Sequence, residues 1–429
     1  MRVSPSLDQK IGHIVRDHMP SLGSYADQYK DLHSHPELGK QESRTASIAA
    51  KHLERLGFQV RSGIGGHGVA GVLQNGPGRT VLLRADMDAL PVLEETCLPY
   101  ASHVRQQNSA GEEVPVMHAC GHDMHVACLM AVSTLLRDCK STWSGTLICV
   151  FQPNEEGGAG AQAMVDGGLY HLVPIPDIIL GQHVDHRRAG NVAICPGPFM
   201  AAADSFIVTI YGRGGHGSQP QFCVDPIVIS SYIIVRLQSI VSRMVAPLDA
   251  AVVTCASIHG GSAENVIPEQ VELKLNVRTY DPDVRKRILD AVHAIIRSEC
   301  QSAGATKDPD IKPYSSLPVT DNDAKLSKTL STTFTEFFGG NRTETLEKLA
   351  GSEDVSNLAK PNLTPYAFWC FGGTDAKEWD EAKKEDRLGL IPRNHSSKFA
   401  PVIEPTMATG VQALALGALR FLIRSDNAI

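Results

Sequence analysis

The 429-residue chain predicts an α/β protein interrupted by an inserted α+β domain. Three observations point there. Short apolar runs alternate with amphipathic helices, polar residues gather directly after several of those runs, and the middle of the chain has a β-α-β-β-α rhythm of its own. The length exceeds what one ordinary core takes, so two or three domains are expected.

Taken in order, Ala49, Leu53 and Leu56 recur at helical spacing, and Gly57 follows at the capping position. Thr80–Leu83, Thr146–Phe151 and Ile178–Leu180 read as buried strands. Between the first two, residues 122–136 gather Val126, Ala127, Met130, Leu135 and Leu136 on one side of a helix. The middle segment begins with a strand at residues 205–211 in which Phe206, Val208 and Ile210 fall at alternate positions. Asp225 and Pro226 then open a helix as N-cap and first residue. Strands at residues 252–258 and 271–277 follow, then a helix over 283–298, and a closing strand is expected near Ile311. That order matches a ferredoxin-like fold. Residues 201–314 are therefore read as an inserted domain, with 1–200 and 315–429 forming the two parts of the domain it interrupts. The α/β pattern resumes with a strand at Tyr366–Phe371 and ends in an apolar helix over residues 407–423.

Composition narrows the function classes. Forty Lys and Arg against forty-seven Asp and Glu leave a net charge of −7, and no basic block offers neutralising charge to nucleic acid. Residues 1–23 mix polar and apolar positions, so neither secretion nor membrane insertion is expected. Ten cysteines stand singly, without a disulfide framework or Cys-x-x-Cys spacing. Reduced thiols and a cytoplasmic location are the corresponding expectation.

The chemistry-bearing residues follow the strands. Arg84-Ala85-Asp86-Met87-Asp88 comes after the first, Gln152-Pro153-Asn154-Glu155-Glu156 after the second, and Gly181-Gln182-His183 after the third. In open α/β sheets ligands bind beyond the carboxyl ends of strands, so the three clusters can share one crevice. His118 to His125 packs three His, one Cys and one Asp into eight positions, with Gly121 between Cys120 and His122. Thiolate and imidazole are preferred ligands of zinc and similar ions. The alternative is a solvated, His-rich helix start. Glu155 and Glu156, if extended, point to opposite sides, so that one can bind a metal while the other acts as a base; an exposed acidic turn is the alternative. His183 and His395 are further ligand candidates, although a lone His is more often structural. Gly212 to Ser218 looks like a phosphate loop, but no Gly-Lys-Ser/Thr follows; a flexible loop presenting His216 is the better reading, and a plain turn the other.

Together these motifs resemble the aminoacylase/carboxypeptidase metallopeptidase superfamily, and most closely its amidohydrolase branch, which includes indole-acetyl-amino-acid, hippurate and N-acyl-amino-acid hydrolases. Six stretches carry the likeness in order: RADMDALP from Arg84, MHACGHDMH from Met117, QPNEEGGAGA from Gln152, GRGGHGS from Gly212, GGSAENVIP from Gly260 and GSEDVS from Gly351. The resemblance implies a zinc-exopeptidase-like central mixed sheet flanked by helices, and an inserted domain that serves as lid and dimer interface. Cys120, His122, Glu156, His183 and His395 match the ligands of two divalent metal ions, most often zinc, with manganese, cobalt or nickel also accepted. Glu155 falls on the general base and Asp88 on a carboxylate that supports the metal site. His216 falls on the residue that stabilises the oxyanion. Asn265 and Arg278 resemble the residues that hold a substrate carboxylate.

Metal-dependent hydrolysis of N-acyl-amino acids or similar small amides is the implied activity. Amide formation or acyl transfer at the same site, or a dipeptidase or carboxypeptidase, would use the same motifs. The implied partners are a small-molecule amide substrate and a second copy of the chain, with no nucleic acid and no membrane. Asn154, Gln221 and Val355 replace residues usual in relatives, which leaves the acyl group open.

Overall fold

The computed structural model describes residues 5–423, in two compact units. The first unit ends at Gly197, resumes over Asp321–Glu347, and continues from Asp354; the second comprises Pro198–Thr320 and Lys348–Glu353. The turns between units thus fall a few residues from positions 201 and 315, and a short return segment near residue 350 joins the second unit.

The first unit is built on an eight-stranded mixed sheet. From edge to edge its strands are Gln59–Ile64, Gly68–Asn75, Gly145–Gln152, Thr80–Asp86, Ile178–Arg188, Tyr366–Thr374, Val192–Ile194 and Thr343–Thr345. The four central strands are mutually parallel, so their carboxyl ends share one edge of the sheet. Helices Ser43–Arg55, His122–Asp138 and Thr406–Leu422 pack on this sheet. Val126, Met130, Leu414, Leu180, Leu83, Phe151 and Trp369 are all nearly or fully buried in the shared core. Each such side chain contributes about 1.5–3 kcal/mol relative to its exposed state.

One strand differs from its expected length. Ile178–Leu180 extends to Arg188, because its ladder with Tyr366–Thr374 continues to Arg188, whereas its other neighbour pairs with it only as far as Gly181. His183 therefore sits within a strand rather than after one. Its side of the sheet is open where the Thr80–Asp86 ladder has stopped.

The second unit carries a four-stranded antiparallel sheet in the order Ala251–His259, Gln270–Thr279, Ala202–Tyr211, Asp310–Leu317. With helices Pro226–Met244 and Pro282–Ser302 it has the βαββαβ chain order and strand arrangement of a ferredoxin-like fold. Asp225 and Asp281 cap the two helices, each carboxylate accepting from two backbone N–H groups, with proline at the first helical position. Ile229, Ile233, Leu237 and Ile240 line up at helical spacing and pack with Val208, Leu273 and Val292. Pro226–Met244 is also the one described helix long and apolar enough to cross a membrane. Its buried stripe is Ile229, Ile233, Leu237 and Ile240, while Ile227, Val228, Tyr232, Val235, Val241 and Met244 of the same helix are exposed.

Candidate metal centre

Cys120 and His122 flank Gly121, whose φ of 83° lies in the left-handed region. A Cβ there would come within 2.4 Å of Val184 Cγ1. Glycine is thus required both by the turn and by the approach of the adjacent strand. The turn delivers Cys120 Sγ to 3.4 Å from His183 Nε2. His183 Nδ1 donates to the Val184 carbonyl at 2.7 Å, which leaves Nε2 with its lone pair toward the thiol.

His395 arrives from far along the chain. Its backbone N–H donates to the Ala119 carbonyl at 2.8 Å, and its φ of 73° places a non-glycine residue in the left-handed region. Its Nε2 lies 3.3 Å from Glu156 Oε1. Ligand-type atoms of Cys120, Glu156 and His395 all fall within 4.8 Å of one another, as do those of His122, Glu155 and Glu156. Cys120, His122, Glu155, Glu156, His183 and His395 are therefore neighbours in the first unit.

The carboxylate pair does not follow the extended-strand expectation. Asn154 adopts a φ of 51°, and Glu155 to Gly158 form a turn closed by the Gly158 N–H donating to the Glu155 carbonyl at 2.7 Å. A turn does not alternate side chains as a strand does, so the two carboxylates converge instead of facing opposite sides. Asparagine tolerates the left-handed conformation better than other side chains of its size. Glu42, fully buried, holds the turn from below by accepting the Asn154 N–H at 2.8 Å. Burial raises the Glu42 carboxyl to about 7.

Asp88 joins the same group. Its Oδ2 accepts the Glu156 N–H at 2.9 Å, and its Oδ1 stands 3.3 Å from His122 Nδ1. Sequence reasoning passed over its neighbour two residues earlier. Asp86, the last residue of its strand, contacts His125 Nδ1 at 2.5 Å and lies 3.7 Å from His122 Nε2. His125 Nε2 accepts the Val184 N–H at 2.8 Å, so its proton resides on Nδ1 and is donated to Asp86. Both ring nitrogens of His125 are thereby engaged, and it supports the cluster rather than offering a free donor atom. The signals were present: Asp86 and Asp88 stand two apart at a strand end, and His122 and His125 share one helix face.

Behind Asp86 lies a buried polar network. Arg84 donates to Asp86 Oδ2 at 2.7 Å, to Gln152 at 2.9 Å and to Asp354 at 3.1 Å. Asp354 also accepts the Ala161 N–H at 2.9 Å. Opposing the penalty of burial, Arg84 holds the Asp86 carboxyl well below its usual range. On the other side of the helix start, His33 donates to Asp123 at 2.7 Å and to Glu94 at 3.1 Å. Burial alone would lower the His33 pKa, but the two carboxylates raise it to about 10.

The electrostatics of the cluster suit a cation. Cys120 and Glu156 beside it raise His395 to about 10, and Asp86 and Cys120 raise His122 well above its ordinary value against the effect of burial. Burial and the Glu156 charge push the Cys120 thiol up. Burial pushes His183 the other way. Among the described residues, both ring nitrogens of His122 and Oε1 of Glu156 are buried without a well-formed hydrogen bond. Buried polar atoms of this kind call for a partner, and thiol, imidazole and carboxylate together are the donor set of zinc and related divalent ions. The residues fit a metal, whose binding would displace protons from the thiol and imidazoles.

His216, Asn265 and Arg278 lie in the second unit. The short ladder of Gly215–His216 with Val266–Ile267 places the first two together, and the Gly217 N–H donates to the Asn265 carbonyl at 2.8 Å. His216 Nδ1 accepts the Ser218 N–H at 3.1 Å, so Nε2 carries the proton and is a donor. Arg278 donates to Asn276 at 2.9 Å, to the Ala350 carbonyl at 3.1 Å and to Ser352 at 2.8 Å.

A thiol, imidazoles and paired carboxylates gathered at the carboxyl edge of a mixed sheet define a metal-dependent hydrolase. Residues 82–388 match the sequence profile of peptidase family M20/M25/M40, and the chain belongs to that family. It is 35% identical over 403 residues to thermostable carboxypeptidase 1 of Saccharolobus solfataricus, covering 91% of this chain and 94% of that protein. It is 36% identical over 361 residues to the hippurate hydrolase of Campylobacter jejuni, covering 83% and 90%. A crystal structure of a dinuclear metal-binding M20 peptidase from Bacillus subtilis superposes with a TM-score of 0.71 at 27% identity, over 93% of this chain and 98% of that one. The protein is a metal-dependent amidohydrolase of the M20 type, with the mixed α/β fold of its relatives.

Proposed function

We propose that this protein hydrolyses the amide bond of N-acyl-amino acids or similar small conjugates, with Cys120, His122, Glu156, His183 and His395 holding two divalent ions. The observation that carries the reading is the meeting of those side chains with Glu155, drawn from four separate segments. When bound, the ions would supply Lewis acidity that acidifies water and polarises the amide carbonyl. Thiolate and imidazole favour zinc, and manganese, cobalt or nickel fit the mixed carboxylate set.

Glu155 takes the proton of the attacking water on its carboxylate and returns it to the nitrogen of the leaving amine. Asp88 orients Glu156 and His122. His216, a donor at Nε2, stabilises the oxyanion. Asn265 and Arg278 hold the carboxylate of the amino-acid portion, a task suited to a guanidinium fork. The second unit acts as lid and dimer interface. The interface role is supported by Val228, Tyr232 and Val235 exposed on one helix, and by Val252 and Ile258 on the adjacent edge strand. The singly placed cysteines suit a reducing, cytoplasmic setting.

Carboxypeptidase action is the second reading, favoured by the similarity to thermostable carboxypeptidase 1 over 91% of the chain. Both readings are tested by one screen of N-acetyl-, N-benzoyl- and N-indolylacetyl-amino acids and dipeptides with metal-quantified protein. Preferential release of the amino acid from N-acyl substrates supports the first, and preference for peptides the second. Full activity in protein shown to hold no metal would defeat both.

A further inference from the structure

Asn394 is not among the ligand-type residues, yet its carboxamide reaches two of the other segments that carry them. Its Nδ2 donates to the Cys120 carbonyl at 3.1 Å and to the Val184 carbonyl at 3.0 Å, and lies 3.8 Å from Cys120 Sγ. Two carbonyl acceptors on one side require the NH2 group to face them, so the amide orientation follows from its partners. The Val184 carbonyl also accepts His183 Nδ1–H at 2.7 Å, and thus receives both the imidazole and the carboxamide on its two lone pairs. Asn394 directly precedes His395, whose left-handed backbone is anchored by its own N–H to the Ala119 carbonyl.

We propose that Asn394 is a positioning residue that holds Cys120, His183 and His395 in mutual register. It acts through two backbone carbonyls and through the peptide bond it shares with His395. The proposal rests on the reading of those three residues as metal ligands. Its physical basis is geometric. A left-handed histidine in a loop has many competing conformations, and an anchor on the preceding residue adds to its own N–H bond in keeping the ring directed at the thiol and at Glu156. One carboxamide donating to two carbonyls fixes the loop against two other segments at once. The carbonyl shared with His183 makes the tautomer of that ring and the position of the loop parts of one arrangement.

The test compares cobalt-loaded protein with Asn394→Ala, Asn394→Asp and Cys120→Ser variants. Cobalt retention is titrated against a competing chelator, and the thiolate-to-cobalt charge-transfer band is followed alongside. Asn394→Asp keeps the shape but presents carboxylate oxygens to the two carbonyls, so it removes the donors without opening a hole. It also serves if Asn394→Ala does not fold. Both Asn394 variants are expected to lose cobalt affinity about 10–100-fold, as loss of an outer partner of a metal ligand commonly does, with a shifted charge-transfer band. Their metal-free forms should melt within a few degrees of the unsubstituted protein. Asn394→Asp that keeps cobalt as tightly as the unsubstituted protein, with an unmoved band, overturns the proposal while Cys120→Ser loses the metal. Equal cobalt retention by Cys120→Ser and the unsubstituted protein overturns the metal reading itself, and the proposal with it.

Discussion

Asp88 and Glu156 are joined by a backbone hydrogen bond of 2.9 Å from the Glu156 N–H to Asp88 Oδ2, while the other oxygen of the same carboxylate faces His122 at 3.3 Å. A single acid thus orients a carboxylate and an imidazole that come from different segments. Asp88→Asn keeps the volume but turns an acceptor pair into one acceptor and one donor. Metal affinity should fall about 10–100-fold, measured as metal retained after dialysis against a graded chelator. Retention equal to that of the unsubstituted protein would remove Asp88 from its assigned role.

Glu155→Gln separates the base from the ligands. It preserves shape and leaves Cys120, Glu156 and His395 together. Metal content should stay unchanged while turnover drops by roughly 10²–10⁴-fold, the range expected for a positioned general base. A variant with intact turnover would reassign the proton transfer to another group.

Gly121→Ala is expected to damage the site through the backbone. The φ of 83° costs a residue with a Cβ about 1–2 kcal/mol, and the added atom meets Val184 at 2.4 Å. Since Cys120 and His122 flank this residue, the variant should show both a lowered melting temperature and weaker metal retention. A loss of stability with unaltered metal retention would mean that the turn is not what aligns the two side chains.

The buried trio of His33, Asp123 and Glu94 predicts a pH-dependent contribution to stability. The carboxylates raise His33 from an ordinary 6.5 to about 10, so the folded state binds its proton more tightly than the unfolded state. The stabilisation is complete below pH 6.5 and is lost as the pH rises toward 10. His33→Gln should therefore destabilise most at mildly acidic pH, by about 3–5 kcal/mol if the two carboxylates stay charged without their partner. Denaturant titrations at pH 6 and pH 9.5 should show the gap between the two proteins narrowing at the higher value. A gap that widens would contradict the assignment of the charge to His33.

Much of this arrangement is legible in the order of residues. The alternation of Val271, Leu273, Leu275 and Val277 reads directly as a strand, and Asp225 before Pro226 as a helix start, because both patterns are local. The clustering of Cys120, His122, Glu155 and Glu156 at strand and helix ends likewise announces a site. Other features escaped because they depend on partners remote in the chain. His183 lies within a strand because Tyr366–Thr374 continues to pair beyond Gly181. The turn at Asn154, with Glu42 beneath it, brings Glu155 and Glu156 together where an extended backbone would part them. Arg84 appeared only as part of a motif, and its meeting with Asp354 follows from a separation of 270 positions.

The types of donor available, the periodicities of strands and helices, and the family to which the chain belongs are all properties of residues taken singly or as close neighbours, and these can be read without coordinates. Which atoms meet is another matter. Asn394 and Cys120 stand 274 positions apart, and neither helical nor strand periodicity reaches across such a separation. Packing of the central sheet and its helices brings the ends of the strands together, and only there do hydrogen-bond geometry and burial select the tautomer of His183, the charge on His33 and the direction of Glu156.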